Sequence, residues 1–256
     1  METPILELAN VTKDFGGLRA VDHLSFNLEE GEILGLIGPN GSGKTTIFNL
    51  ITGIYPATSG EIRYNGKSLI GLKAHDIASL GISRTFQLVR LFTNMSVLEN
   101  VMVGCHMRGR RGTLEGALSL PSARTEERRI LDEAMQWLAF VGLEARAFDS
   151  VPGLPFVAQR RLEIARALAT HPQLLLLDES GSGLSSEEIE ELSQLIRKIR
   201  DSRVTVIVVE HRMEFVMNLA ERMVAIDRGA KIAEGTPAKV GSDERVISAY
   251  LGEETE

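Results

Sequence analysis

A single cysteine, Cys105, leaves no partner for a disulfide within the chain. No apolar run approaches the roughly 18 residues that would span a bilayer, so no transmembrane helix is expected. Excess positive charge is lacking too: the formal net charge is −7, which argues against a nucleic-acid surface as the main business. The opening "METPILELAN" carries acid early and lacks a basic and then apolar signal region. The expectation is a cytoplasmic chain that partners must hold if it works at a membrane. Internal repeats and low-complexity tracts are also missing.

What is present is 256 residues, 43% hydrophobic and 25% charged, enough for one large domain or a domain with a subdomain. Short apolar runs at 33–38, 174–178, 204–210 and 223–227 are bounded by turn or charged residues, as strands buried on both faces are. Helical periodicity near 44–52, 158–170, 186–200 and 212–221 falls between them, giving the βαβ rhythm of a sheet covered on both sides. Ahead of it, "ILELANV" and "LSFNLEEGE", with the hairpin signal "YNGK" at 64–67, predict a smaller antiparallel layer. Residues 96–170 read as a helical subdomain inserted into an α/β core made of 1–95 and 171–256, with a polar loop at 109–125. Arg108, Arg110 and Arg111 cluster there, either as a solvated face or as a contact for protein or lipid head groups.

The strongest chemical signal is "GPNGSGKTT" at 38–46, a full GxxxxGK[ST] match between a predicted strand and a predicted helix. Gly38, Gly41 and Gly43 permit backbone conformations closed to other residues, so N–H groups from Asn40 to Thr46, including Ser42, can line a phosphate-binding concavity. Lys44 is expected to bridge the β- and γ-phosphates of ATP, and Thr45 to offer its hydroxyl to Mg²⁺. "LLLLDES" ends a predicted strand in two carboxylates, placing Asp178 near the metal and Glu179 where it can polarise water. His211 follows another strand and could bond a γ-phosphate, although a histidine there is more often uninformative. Gln87 in "RTFQ" could contact water and Mg²⁺. Phe15 in "KDFGG" could stack on a purine or simply pack in the core.

The order "GPNGSGKTT", Gln87, "LPFVAQRRLEIARAL", "LLLLDE", His211 resembles the nucleotide-binding subunit of ATP-binding cassette transporters over nearly the whole chain. "GISRTFQ", "RLFTNMSVLENVMVG", "RRLEIARAL", "VEHRM" and "VISAYLGEE" look most like the branched-chain amino acid importers; lipopolysaccharide-export ATPases are the nearest rival. The resemblance implies a P-loop fold of this type, mixed core sheet plus antiparallel layer plus helical subdomain. It implies adenine stacking on Phe15, MgATP on the phosphate loop and Asp178, Glu179 as general base and His211 as γ-phosphate sensor. Gln87 and the segment after it would couple the site to transmembrane permease subunits on the cytoplasmic face of an inner membrane, with a substrate-binding protein acting indirectly. Two ATPase subunits would close head to tail around two ATPs.

Members carry a signature like LSGGQ, pointed at the partner's ATP. Here the aligned quintet is Leu154, Pro155, Phe156, Val157, Ala158, with valine where glycine is expected. A β-branched side chain restricts backbone freedom and close approach. Ser180 stands where proline is usual, and Ser185 where the family has Asp or Asn. A homodimer would carry Val157 in both composite sites, so a heterodimer with one impaired site is expected. The alternatives are an ATP-binding interaction subunit that hydrolyses little, which Glu179 argues against, and a soluble cassette ATPase acting on DNA or ribosomes. The acidic balance and the lack of a long heptad insertion disfavour the last.

Overall fold

The computed structural model describes residues 4–106 and 121–251. The chain divides into two compact units, Met1–Arg84 with Gln173–Glu256, and Thr85–Pro172.

In the first unit, β1 (Leu6–Phe15), β2 (Leu18–Leu28), β4 (Ser59–Tyr64) and β5 (Lys67–Ser68) form an antiparallel sheet in the order β2-β1-β4-β5. The "YNGK" turn is a two-residue hairpin: Asn65 and Gly66 take φ of 48° and 72°, and Tyr64 pairs with Lys67. A second, six-stranded sheet runs β10-β9-β3-β8-β7-β6, comprising β3 (Ile33–Ile37), β6 (Ile82–Arg84), β7 (Leu174–Asp178), β8 (Thr205–Val209), β9 (Arg222–Asp227) and β10 (Ala230–Gly235). All neighbours are parallel except β10 against β9.

The period-2 pattern of this sheet feeds two cores. Leu34, Leu36, Leu174, Leu176, Ile207 and Val209 pack with Leu6, Leu8 and Leu24 of the antiparallel sheet and with Phe48 of α1 (Lys44–Ile51). Ile37, Met223 and Ala225 face the other way, onto Val216 of α7 (Met213–Leu219) and Val240 and Val246 of α8 (Pro237–Gly241) and α9 (Glu244–Leu251). Each such fully buried side chain contributes roughly 1.5–3 kcal/mol. Helix α7 lies against β3 because residue 35 has no side chain: a Cβ on Gly35 would stand 2.3 Å from Val216 Cγ1. Helices α2 (Ala74–Ser79) and α6 (Ser186–Asp201) complete the unit.

The second unit is helical: α3 (Val97–His106), α4 (Pro121–Val141) and α5 (Phe156–Leu168), with 3-10 turns at Glu144–Arg146 and Val151–Gly153. Helices α3 and α5 meet closely at Gly104, where a Cβ would lie 2.4 Å from the Arg166 carbonyl oxygen. The expected loop at 109–125 is corrected at its end, because α4 already begins at Pro121, a residue whose fixed φ and missing N–H suit a first helical position. Residues 109–120, and with them the arginine cluster from 108 to 111, lie outside the described residues. Helix α5 starts two residues earlier than its periodicity predicts, directly after Pro155.

Candidate functional site

In the first unit, β3, β8 and β7 are neighbours in that order and parallel, so their C-terminal ends form one edge. The loop 38–43 leaves β3 there, Asp178 closes β7, and His211 follows β8. This is where open α/β sheets hold ligands.

The loop is shaped by its glycines, two of which have no room for a side chain. Gly38 and Gly43 have φ of 155° and 108°, and a Cβ would lie 2.1 Å from the Ile226 oxygen or 2.5 Å from the Ala20 oxygen. Gly41 takes φ 73° in open space. Gly38 donates its N–H to the Tyr250 hydroxyl at 2.9 Å, tying the loop to α9. Gly43 is the N-terminal cap of α1, which therefore aims the N–H groups of its first turn and its positive end at the loop. Lys44 is buried, its ammonium donating to the Gly38 and Pro39 carbonyls at 2.6 and 2.8 Å. Asn40 and Thr45 are exposed, Ser42 is buried, and Thr46 is half-buried.

Asp178 is 1% exposed. Burial pushes its carboxyl up and Glu179 adds to this, while the Arg84 bond and charge and the charge of Lys44 oppose it. Arg84 ends β6, donates to Asp178 and to Asn49 of α1 at 2.6 Å each, and lies over the Phe48 ring. Glu179 takes a left-handed φ of 47° and donates its N–H to the Val209 oxygen at 2.8 Å. That kink turns the half-buried Glu179 out of the strand line at the sheet edge. The loop after it is held by buried Glu210, whose carboxylate accepts the Gly181 N–H at 2.6 Å. His211 is exposed, its Nδ1 4.0 Å from Glu210 Oε2.

Ser185 caps α6: its hydroxyl accepts the Glu188 N–H at 3.2 Å while Glu188 accepts the Ser185 N–H at 2.9 Å. Serine serves here as Asp or Asn would. Phe15 ends β1, 40% exposed, with its edge-to-face neighbour Tyr55 at 5.2 Å and the Lys13 ammonium 4.8 Å from its centroid. Arg84, Glu210 and Tyr250 lie inside "GISRTFQ", "VEHRM" and "VISAYLGEE", yet sequence reasoning gave none of them a role, because their partners are distant in the chain.

The donor set fits a hard cation. One hydroxyl, one carboxylate and phosphate oxygens suit Mg²⁺, which keeps waters and does not require a protein cage; among the described residues no three His, Cys, Asp or Glu gather as a metal cluster. A loop that a Cβ would fill at two points fits a phosphate chain.

In the second unit, Pro155 caps α5, so Phe156, Val157 and Ala158 are its first turn. Val157 is half-buried and helical, away from positive φ; the backbone there takes valine without strain. Phe156 is 45% exposed and stacks on Arg160 at 5.1 Å. Arg160 donates to the carbonyls of Phe86 and Gln87 at 3.0 and 2.7 Å. Gln87 is thus fixed at its backbone within this unit, and its side chain lies at an exposed position.

A glycine-shaped phosphate loop opening a helix, a strand-end Asp-Glu pair on the next-but-one strand and an antiparallel β layer define a P-loop nucleotide-binding cassette. The family model described as "ABC transporter" matches residues 21–182, and one described as "Branched-chain amino acid ATP-binding cassette transporter" matches residues 230–256. The chain is 44% identical to the high-affinity branched-chain amino acid transport ATP-binding protein BraF of Pseudomonas aeruginosa, across 99% of this chain and 100% of that one. It is 42% identical to LivG of Escherichia coli over the same shares. The ADP conformation of an ATP-binding cassette of an ABC transporter matches with a TM-score of 0.86 at 29% identity, covering 98% of this chain and 100% of that chain. A dimeric bacterial cassette matches with a TM-score of 0.76 at 28% identity, covering 91% and 98%. The chain belongs to the ATP-binding cassette family of ABC transporters, and it is an ATPase of that family.

Proposed function

We propose that the chain binds and hydrolyses ATP to energise an importer of branched-chain amino acids or related small polar solutes. The observation that carries this reading is the shared edge of β3, β8 and β7, which gathers Lys44, Asp178, Glu179 and His211, in a chain that matches importer ATPases end to end. Phosphate oxygens would take the N–H groups of residues 40–46, and Lys44 would exchange its two loop carbonyls for the β- and γ-phosphates. Thr45 and Asp178 would hold Mg²⁺, with Gln87 as a further oxygen donor; the cation would neutralise charge developing on the phosphates. Glu179 would take the proton of the attacking water, and His211 would bond the γ-phosphate until it leaves. Phe15 offers its exposed face to adenine.

The assembly proposed is a pair of ATPase subunits on the cytoplasmic face of the membrane, docked to permease subunits and served by a substrate-binding protein. We favour a heterodimer, because Pro155, Phe156, Val157 and Ala158 would be presented in trans without the signature glycine. Val157 is sterically at ease in α5, so the impairment would come from its bulk against the partner's nucleotide and not from backbone strain. Nucleic acid has no part in this reading. Turnover by this chain alone, with and without Val157→Gly and with and without a second ATPase subunit, tests the partnership. Faster turnover of the variant alone supports a completed site in the heterodimer; equal turnover sinks the idea.

A further inference from the structure

Residues 86–92 come soon after β6 and carry no regular structure of their own, yet their backbone is held at both ends by buried polar side chains. Arg160 and Glu163 of α5 pair at 3.4 Å with side chains 4% and 2% exposed. Arg160 donates to the carbonyls of Phe86 and Gln87, while Glu163 accepts the Phe86 N–H at 3.2 Å and the backbone N–H of Arg90. At the far end Asn100 of α3, 0% exposed, accepts the Phe92 N–H at 2.9 Å and donates to the Phe92 carbonyl at 3.0 Å. Four side chains of the same stretch are exposed, Gln87 and Arg90 beside the apolar Leu88 at 76% and Phe92 at 46% exposure. Burying an ion pair is seldom the cheapest way to stabilise a helix. Spending it on the backbone of an adjacent irregular segment fixes where that segment sits.

We propose that Arg160, Glu163 and Asn100 are positioning residues that make residues 86–92 a rigid part of the helical unit, so that a membrane partner moving this segment moves α5 and its signature turn. The inference rests on the reading of Gln87 and the following segment as the coupling element. Force applied at 86–92 enters α5 at Arg160, one turn from Phe156, with which its guanidinium also stacks. The connection is made by directional hydrogen bonds, with Arg166 of α5 also lying over the Phe92 ring at 5.3 Å.

The test uses full-length chains, alone and in the assembled transporter, with the double variant Arg160→Met and Glu163→Leu, which fills the same space without reaching the backbone. In the isolated chain, amide exchange across 85–92 should rise about tenfold, while exchange across 38–46 stays at the wild-type rate. In the complex, stimulation of ATPase by transport substrate should fall roughly five- to tenfold with basal turnover within about twofold. Arg160→Lys keeps the charge pair but has no planar fork for two carbonyls, so it should lose coupling as well. Wild-type exchange in the double variant, or undiminished stimulation despite faster exchange, overturns the proposal. Absence of stimulation in the wild-type complex overturns the functional reading and the transmission step with it, and the exchange result then decides the anchoring by itself.

Discussion

Arg84 Nη2 lies 2.6 Å from Asp178 Oδ2, with the two side chains 6% and 2% exposed. The guanidinium also bonds Asn49, so one buried cation ties the acidic strand end to the helix of the phosphate loop. A carboxylate this deep needs a counter-charge to remain ionised. Removing one partner of such a pair costs about 3–5 kcal/mol. Arg84→Met should therefore lower stability by that order in chemical denaturation and weaken ATP binding in the presence of Mg²⁺ more than in its absence. Equal loss with and without Mg²⁺ would show that Arg84 acts on the fold alone.

Gly43→Ala should be among the most damaging small changes to the loop. The new methyl meets the Ala20 carbonyl at 2.5 Å in a backbone held at φ 108°. Strain of this kind costs on the order of 1–3 kcal/mol, and the loop can relieve it only by moving. ATP binding measured by calorimetry should be lost, whereas Gly41→Ala, with open space around it, should retain part of the affinity.

Tyr250→Phe removes only the hydroxyl that accepts the Gly38 N–H. The ring keeps its place against the core of Ile37 and Val246. A net hydrogen bond contributes about 1 kcal/mol, so ATP affinity should fall several-fold with little change in melting temperature. An unchanged affinity would mean that α9 does not support the loop.

Much of this arrangement was legible in the sequence because it is local. Gly38, Gly41 and Gly43 announce positive φ by residue type, and "YNGK" announces its hairpin. The buried strands stand out as short apolar runs with nothing helical in their period. What stayed hidden depends on partners far along the chain. Arg84 reads as an ordinary strand-end arginine until β7 pairs beside β6, and Tyr250 lies 212 residues from the glycine it bonds. Arg160 and Glu163 look like the polar face of an amphipathic helix, yet both are buried. Ser185 was open to inspection: Ser185 and Glu188 have capping-box spacing, which gives this serine a structural use that its departure from the family pattern concealed. Val157 likewise looks disruptive as a letter but takes a helical position that suits it.

Stability should respond to pH through Glu163. Burial pushes its carboxyl up from the ordinary 4.5, against the opposing Phe86 N–H and the charges of Arg160 and Arg166. The folded chain therefore holds this proton more tightly than the unfolded one. The group's contribution is full below about 4.5 and is lost as pH rises through the folded value. Glu163→Gln has no such proton, so its melting temperature minus that of the wild type should grow more positive from pH 4.5 to pH 7. A difference that stays flat or falls over this range would contradict the assignment.

Glu179, turned out of the strand line at φ 47° just past the end of β7, is the base we propose for ATP hydrolysis. The most direct measurement is turnover and ATP binding of the assembled complex carrying Glu179→Gln in this chain. ATP affinity should be retained, with turnover at this site reduced by roughly 10²–10⁴-fold, the range general base catalysis supplies. Turnover at the wild-type rate, with binding intact, would contradict it.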